Sequence, residues 1–530
     1  MDKPGDAGRK TARFCTAAAW ILFLALIGLM AVCAFRMTAL NEAYPNRMSQ
    51  RVTLIGQAVL PNMALTACAL AAYMLLHKLM EKLGGIRMSA SVMGLWAAAA
   101  LVWIFGIRMA QRADAEIVLK AALKFAENDS SPLTNADYFH AYSYQLALCL
   151  PLELLARLFP HADVNFIAQC LNVALGVAGA GVLAALAQTL AGERRAAAAC
   201  ILLYALFLPT LMFNTYVYNV NLMILLCAGA FLCFAKYTET SRIGFGAGYA
   251  LLMGTAIAAK PNSVIAAMAL AICAVLHAMN KKDWKILFCG ALSFAVGIAL
   301  SHLIEGSYAA RAGIALRQDV SLLARLAMGT QDSPIAAGWY NSYTEQFFSA
   351  SVTAESEKAQ ALADLSERLS WMRQNPSEAF AFYREKLMTQ WLEPGCDILW
   401  MGAISEKTGR MNGIANMLYR DETALKAALY LYLNVSQAAL YVLTLLGGLG
   451  AAKERKGAAG LMIPVTVIGG LLYHVLFEAK AQYAYPYKVY MLPLAAQGLC
   501  RLEDYLTKGI SARVSIRHNR QIQKQQRKAA

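Results

Sequence analysis

The chain has 530 residues, 58% hydrophobic and only 15% charged, with a mean hydropathy of +0.44; soluble globular proteins carry about 25% charged residues. Apolar runs long enough for the roughly 20 residues that cross a bilayer recur along the whole length, which excludes a soluble protein and points to a helical bundle, not a barrel. The net charge of +15 would suit nucleic acid, but its placement argues against that partner, because the excess Lys/Arg falls in every second short segment between the apolar runs, and so on one side of them.

In chain order, twelve spans are expected: 14–35, 56–77, 89–107, 165–190, 197–213, 217–235, 243–259, 262–279, 285–304, 427–449, 458–476 and 485–501. Lys3, Arg9, Lys10 and Arg13 precede the first run with no clear cleavage site after it, so it reads as an uncleaved helix. Placing the N-terminus inside puts both termini in the cytoplasm and collects the excess positive charge there. The tail from Arg513 to Lys528 then reads as a solvated or headgroup-binding segment. Tyr142 to Phe159, which contains Pro151, Glu153 and Arg157, reads as an amphipathic helix in the interface.

The organisation that follows is 1–107 (three spans), 108–304 (transmembrane core with a first outer loop), 305–426 (a large extracytoplasmic loop), 427–501 (three spans) and 502–530 (a basic tail). The large loop has helical spacing over Ser356–Trp371 and again over Ser377–Trp391, with a turn and cap at Asn375-Pro376-Ser377. The twelve cysteines are scattered singly, mostly in apolar runs, and read as small buried hydrophobes; neither a disulfide framework nor a metal site is expected.

No phosphate loop, dinucleotide fingerprint or paired-histidine metal signature occurs. What remains is a set of ionisable residues at the outer ends of spans, where charge is costly: Asp114, Glu116, Lys260, Glu305, Glu478 and Lys480. Asp114 begins a probable helix whose Ile117, Val118, Ala121 and Ala122 face the membrane or the bundle. It reads as a general base or, more simply on spacing alone, as a carboxylate favoured by the helix dipole. Lys260, in the Lys260-Pro261-Asn262 turn, is either a phosphate partner or a lysine snorkelling to water. Tyr483, Tyr485, Tyr487 and Tyr490 suit an interfacial aromatic belt.

The order of these features resembles the GT-C fold membrane glycosyltransferases that use polyprenyl-phosphate sugars, in particular the bacterial relatives of protein O-mannosyltransferases and aminoarabinose transferases. The matching stretches are DAEIVLKAA from Asp114, YSYQLAL with Tyr142 and Gln145, Lys260-Pro261-Asn262, and Met328-Gly329 with GWYN ending at Asn341. After these come Lys386 with Trp391-Leu392-Glu393-Pro394, and FEAKAQYAYPY with Glu478, Lys480 and Tyr483. The chain departs from the pattern at Ala115, Ser143, Tyr144, Phe477 and Gln482.

The resemblance implies an inverting transfer of a sugar from a polyprenyl-phosphate donor to an extracytoplasmic acceptor: an envelope polymer, a lipid or a protein. It implies Asp114 as base, with Glu116 ranked below it, and Lys260 as the phosphate partner, with Lys480 and Arg317 as second choices. It also implies a polyprenyl-phosphate-linked sugar as the donor substrate, with no cofactor assigned, and a sugar covered by Trp339, Tyr340, Asn341 and Trp391. A transporter or lipid flippase is the rival reading; it would be expected to carry a repeated half with broken helices at the midplane, and none is visible.

Overall fold

The computed structural model describes the backbone of residues 4–43, 50–135, 137–317, 319–349, 351–402, 418, 423–454 and 457–529, and the side chains of all of these except 4–7, 42, 43, 86 and 509–529. The end of the large loop (403–417 and 419–422) and the basic side chains from Arg513 to Lys528 lie outside the described residues.

The chain is a helical membrane bundle. Its long helices are α1 (Pro4–Arg36), α2 (Val59–Lys82), α3 (Ile86–Ile107), α8 (Val164–Ala191), α11 (Val220–Thr240), α13 (Ser263–Lys281), α14 (Lys285–Ala312), α19 (Ala424–Lys453), α20 (Gly457–Leu476) and α21 (Ala481–Ala529). Between them lie α4 (Asp114–Ala126), α5 (Ser131–Thr134), α6 (Tyr138–Ala141), α7 (Leu146–Leu158), α9 (Arg195–Leu206), α10 (Pro209–Met212), α12 (Ile243–Ala259), α15 (Leu322–Gly329), α16 (Ala354–Gln374), α17 (Pro376–Trp391) and α18 (Ile398–Gly402). Among the described residues nine helices are long and apolar enough to cross a membrane. The segment expected at 197–213 is instead a pair, α9 with α10, bent by 66° at Phe207-Leu208. Pro209 cannot donate a helical hydrogen bond, which favours a break there. The segment at 243–259 is a 17-residue helix, and that at 485–501 is the first part of α21.

Unlike the expected purely helical chain, residues after α1 form an antiparallel hairpin, β1 (Met37–Ala43) with β2 (Gln50–Gly56), in which Leu40 faces Thr53. Its edges are used: Ala39 N–H donates to the Leu392 carbonyl and Val52 N–H to the Ile335 carbonyl, both at 3.1 Å. Bonding both edges removes the exposed templates that unpaired strands present. The hairpin thereby fastens the start of the bundle to the large loop.

The core is tightest where α19 crosses α21. A Cβ on Gly447 would come within 1.9 Å of the Leu494 carbonyl oxygen, and one on Gly498 within 2.0 Å of the Leu443 oxygen. Small residues let backbones approach in this way. Gly498→Leu is therefore expected to force the pair apart, at about 3 kcal/mol or more for overpacking, with loss of the monodisperse peak in size-exclusion chromatography.

At one end of the bundle polar locks hold the helix ends together. His77 bridges the Glu503 carboxylate and the Arg195 carbonyl at 3.0 Å each, and Arg195 pairs with Asp504. The other end carries α4, the hairpin, α15 to α18 and a large cavity.

Candidate functional site

A buried lysine helps to fix the large loop to the cavity end. Lys386 on α17 is buried and donates to the carbonyls of Gly329 and of Val475, the latter at 3.0 Å. Burial pushes its amine down to about 7, with Glu478 opposing. Gly329 and Gly338 leave room for this lock. A Cβ on Gly329 would lie 2.5 Å from the Leu476 carbonyl oxygen, and one on Gly338, whose φ is +69°, would lie 2.5 Å from the Lys386 side chain. Ala479 N–H then donates to the Gly338 carbonyl at 2.9 Å. The glycines of Met328-Gly329 and GWYN thus serve close packing that places Glu478 and Lys480. Lys386→Met should strand two carbonyls, at about 1–3 kcal/mol each; the expected result is a lowered melting temperature with faster proteolysis in 330–350.

A second buried network sits beneath the cavity. Glu393 accepts backbone N–H groups from Gly395 at 3.0 Å and Asp397 at 2.5 Å, folding the turn in which Cys396 and Asp397 take positive φ values of 53° and 72°. Burial raises the Glu393 carboxyl to about 7, with Lys488 opposing. Asp397 accepts from Asn41, from Gln50 at 2.5 Å, and faces Lys480 at 3.8 Å. Lys480 lies 5.4 Å from the Trp400 ring, whose face also carries Arg112 at 3.7 Å. Asp397 is thus the group that aims Lys480.

Above this network lies a cavity of about 940 Å³ lined by Asp114, Ile117, Tyr142, Tyr144, Tyr218, Arg325, Trp339, Asn341, Trp400, Glu478, Lys480 and Tyr483, among others. This is ample for a small ligand, since such pockets run about 300–1,000 Å³. Asp114 opens α4 directly after Ala113, whose φ is +48°. Val118, Ala121 and Ala122 pack inward as expected, but Ile117 lines the cavity. One Asp114 oxygen accepts the Tyr218 hydroxyl at 3.1 Å, and that hydroxyl accepts from Gln145 Nε2 at 2.5 Å.

Tyr218 owes its place to the chain break after α10. Gln111 donates to the Thr215 carbonyl at 2.9 Å and accepts Val217 N–H at 2.9 Å, while Asn172 donates to the Asn214 and Tyr216 carbonyls. Phe213 stacks on Tyr485 with centroids 3.8 Å apart.

Lys260 stands on the other side of the same tyrosine, its ammonium 3.6 Å from the Tyr218 ring centroid. Its extended backbone suits a residue before proline. It lines a narrow crevice of about 30 Å³ with Ser263, Gln482 and Tyr490, walled off from the large cavity by Tyr218 and Tyr483. Burial lowers the Lys260 amine to about 7, with Asp114 pulling it up and Lys480 pushing it further down. Glu478, at the cavity wall, is pushed up to about 7 by burial, with Lys480 opposing and Asp114 adding to the rise.

Of the residues expected from the sequence, Asp114, Tyr142, Asn341, Glu478, Lys480 and Tyr483 line the cavity, and Gln145 and Lys260 reach it through Tyr218. Glu116 pairs with Lys120 at 2.7 Å on the outer side of α4. Arg317 pairs with Asp137 and donates to the Phe348 carbonyl at 3.1 Å, outside the cavity lining. Trp391 is fully buried, 5.8 Å from Tyr487, and does not line the cavity, whereas Trp339, Tyr340 and Asn341 do.

Sequence reasoning missed Tyr218, Asp397, Arg112 and Arg325. A signal existed for Arg325, a charge inside the apolar stretch 322–329; none marked Tyr218 or Asp397. Fold and site together define a helical membrane protein with a large polar cavity, its wall carrying Asp114, Glu345 and Glu478, at one end of its bundle. No protein-family model and no curated protein matches the chain.

Proposed function

We propose that the chain is a GT-C-type membrane glycosyltransferase, with twelve spans and both termini cytoplasmic, that moves a sugar from a polyprenyl-phosphate donor to an acceptor on the extracytoplasmic side. The observation that carries this reading is the pairing across Tyr218: a cavity-facing carboxylate, Asp114, on its hydroxyl, and an ammonium, Lys260, on its ring face.

In this reaction Asp114 takes the proton of the acceptor hydroxyl as its oxygen attacks the anomeric carbon, and the bond from that carbon to the donor phosphate breaks on the opposite face, inverting the centre. Tyr218 holds one Asp114 oxygen and so orients the carboxylate toward the incoming hydroxyl. The leaving polyprenyl phosphate gathers negative charge, and Lys260 and Lys480 stabilise it in a partly dry site. Trp339, Tyr340 and Asn341 present faces and polar edges suited to a sugar ring.

The test is direct. Purified protein is incubated with polyprenyl-phosphate sugars and envelope acceptors, and release of polyprenyl phosphate with an inverted glycosidic product is measured. Absence of turnover with every lipid-linked donor would favour the transporter reading.

A further inference from the structure

Among the described residues, arginines that make polar side-chain contacts end on oxygens. Arg112 donates to the Trp400 carbonyl, Arg157 and Arg311 grip Glu153, Arg195 grips Asp504, and Arg368 donates to the Thr330 carbonyl. Arg325, in the middle of α15, makes no side-chain hydrogen bond or ion pair among the described residues, and its buried Nε has no partner. It is nevertheless well held. Its guanidinium lies 5.2 Å from the Tyr144 ring centroid and 5.5 Å from that of Tyr142, within the range of cation–π attraction.

Ring faces fix a guanidinium plane but accept none of its five N–H donors. The carboxylates whose charge reaches Arg325, Asp319 and Glu478, do not hydrogen-bond to it: Asp319 accepts Ser143 N–H at 2.8 Å, and the Tyr142 hydroxyl is bonded to Thr344 at 3.0 Å. Leaving such donors unmade is costly. Arg325 lines the large cavity, so the acceptor it lacks has room to arrive from there.

We infer that Arg325, held by Tyr142 and Tyr144, is an oxyanion subsite of the cavity, separate from Lys260 and Lys480, that takes a carboxylate or phosphate carried by the acceptor. A planar fork matches both groups in bidentate fashion, which an ammonium does not. The two lysines stand at Tyr218 and Trp400, where one phosphate is served, leaving Arg325 for a second anion. The acceptor assignment rests on the transferase reading; the oxyanion subsite does not.

The test uses full-length protein in detergent, with tryptophan fluorescence read during titration with glucuronate, glucose 6-phosphate and glucose at fixed ionic strength and pH 8. At least one anionic sugar is expected to bind tenfold or more tightly than glucose. Arg325→Ala should abolish that preference, and Arg325→Lys, which keeps charge without the fork, should retain only part of it. Tighter glucuronate points to a uronic-acid acceptor, and tighter glucose 6-phosphate to a phosphate-bearing one.

Equal binding of all three sugars overturns the inference. So does a preference that survives Arg325→Ala, or one that is lost in Lys260→Met while Arg325→Ala leaves it intact. Both Arg325 variants are first checked for the wild-type elution profile. A failure of the transferase reading shows separately, as binding without release of polyprenyl phosphate.

Discussion

Asp114→Asn is expected to lower sugar transfer by about 10²–10⁴-fold, the usual contribution of a positioned general base, while leaving donor binding within a few-fold of wild type. The amide fills the same space and still accepts the Tyr218 hydroxyl through its oxygen, so the architecture around α4 is kept; what is lost is the capacity to take a proton. Single-turnover release of polyprenyl phosphate from a labelled donor separates the two quantities. Tyr218→Phe should fall between the variant and wild type, because it removes the 3.1 Å bond that orients Asp114 and leaves Gln145 unpaired but keeps the carboxylate. Glu478→Gln should cost less than Asp114→Asn, since a carboxyl raised to about 7 is already largely protonated in mildly acidic buffer. Full activity of Asp114→Asn would remove the base assignment.

Lys260→Met should weaken donor binding by at least tenfold, with little change in the rate of bound donor if Lys480 still faces the leaving phosphate. Burial places the Lys260 amine near 7, below its ordinary value, so the free protein carries this charge below about pH 7 and loses it above. Donor affinity is therefore expected to fall as pH rises from 6 to 9, by up to about tenfold per unit, because one unit of pH across a titration is worth 1.36 kcal/mol. By linkage, a bound phosphate favours the ammonium and moves the midpoint upward. The same titration on Lys260→Met should be nearly flat. A steep profile that persists in that variant would assign the dependence to Glu478 or to the donor itself.

The expected helices of the large loop are found in the structure, because their signals are local. Thr353 caps α16 with a reciprocal bond to Ser356, and Pro376 occupies the first turn of α17 after Asn375. Such patterns need only neighbours three or four residues away. The hairpin after α1 escaped notice for the opposite reason. Its strand residues find their stabilising partners at Leu392 and Ile335, some three hundred residues further along.

By itself, then, the sequence determined a membrane helical bundle, since continuous apolar length has one solution in lipid, and it marked ionisable residues at helix ends as costly enough to need a reason. It could not tell which of them meet. Asp114 and Lys260 share Tyr218, Lys480 is aimed by Asp397, and Arg325 stands against the Tyr142 and Tyr144 rings with its Nε unpaired. Each of those relations joins residues far apart in the chain, so only tertiary packing brings them into contact, and with it the difference between Glu116, paired on the outer side of α4, and Asp114, two residues earlier, facing the cavity.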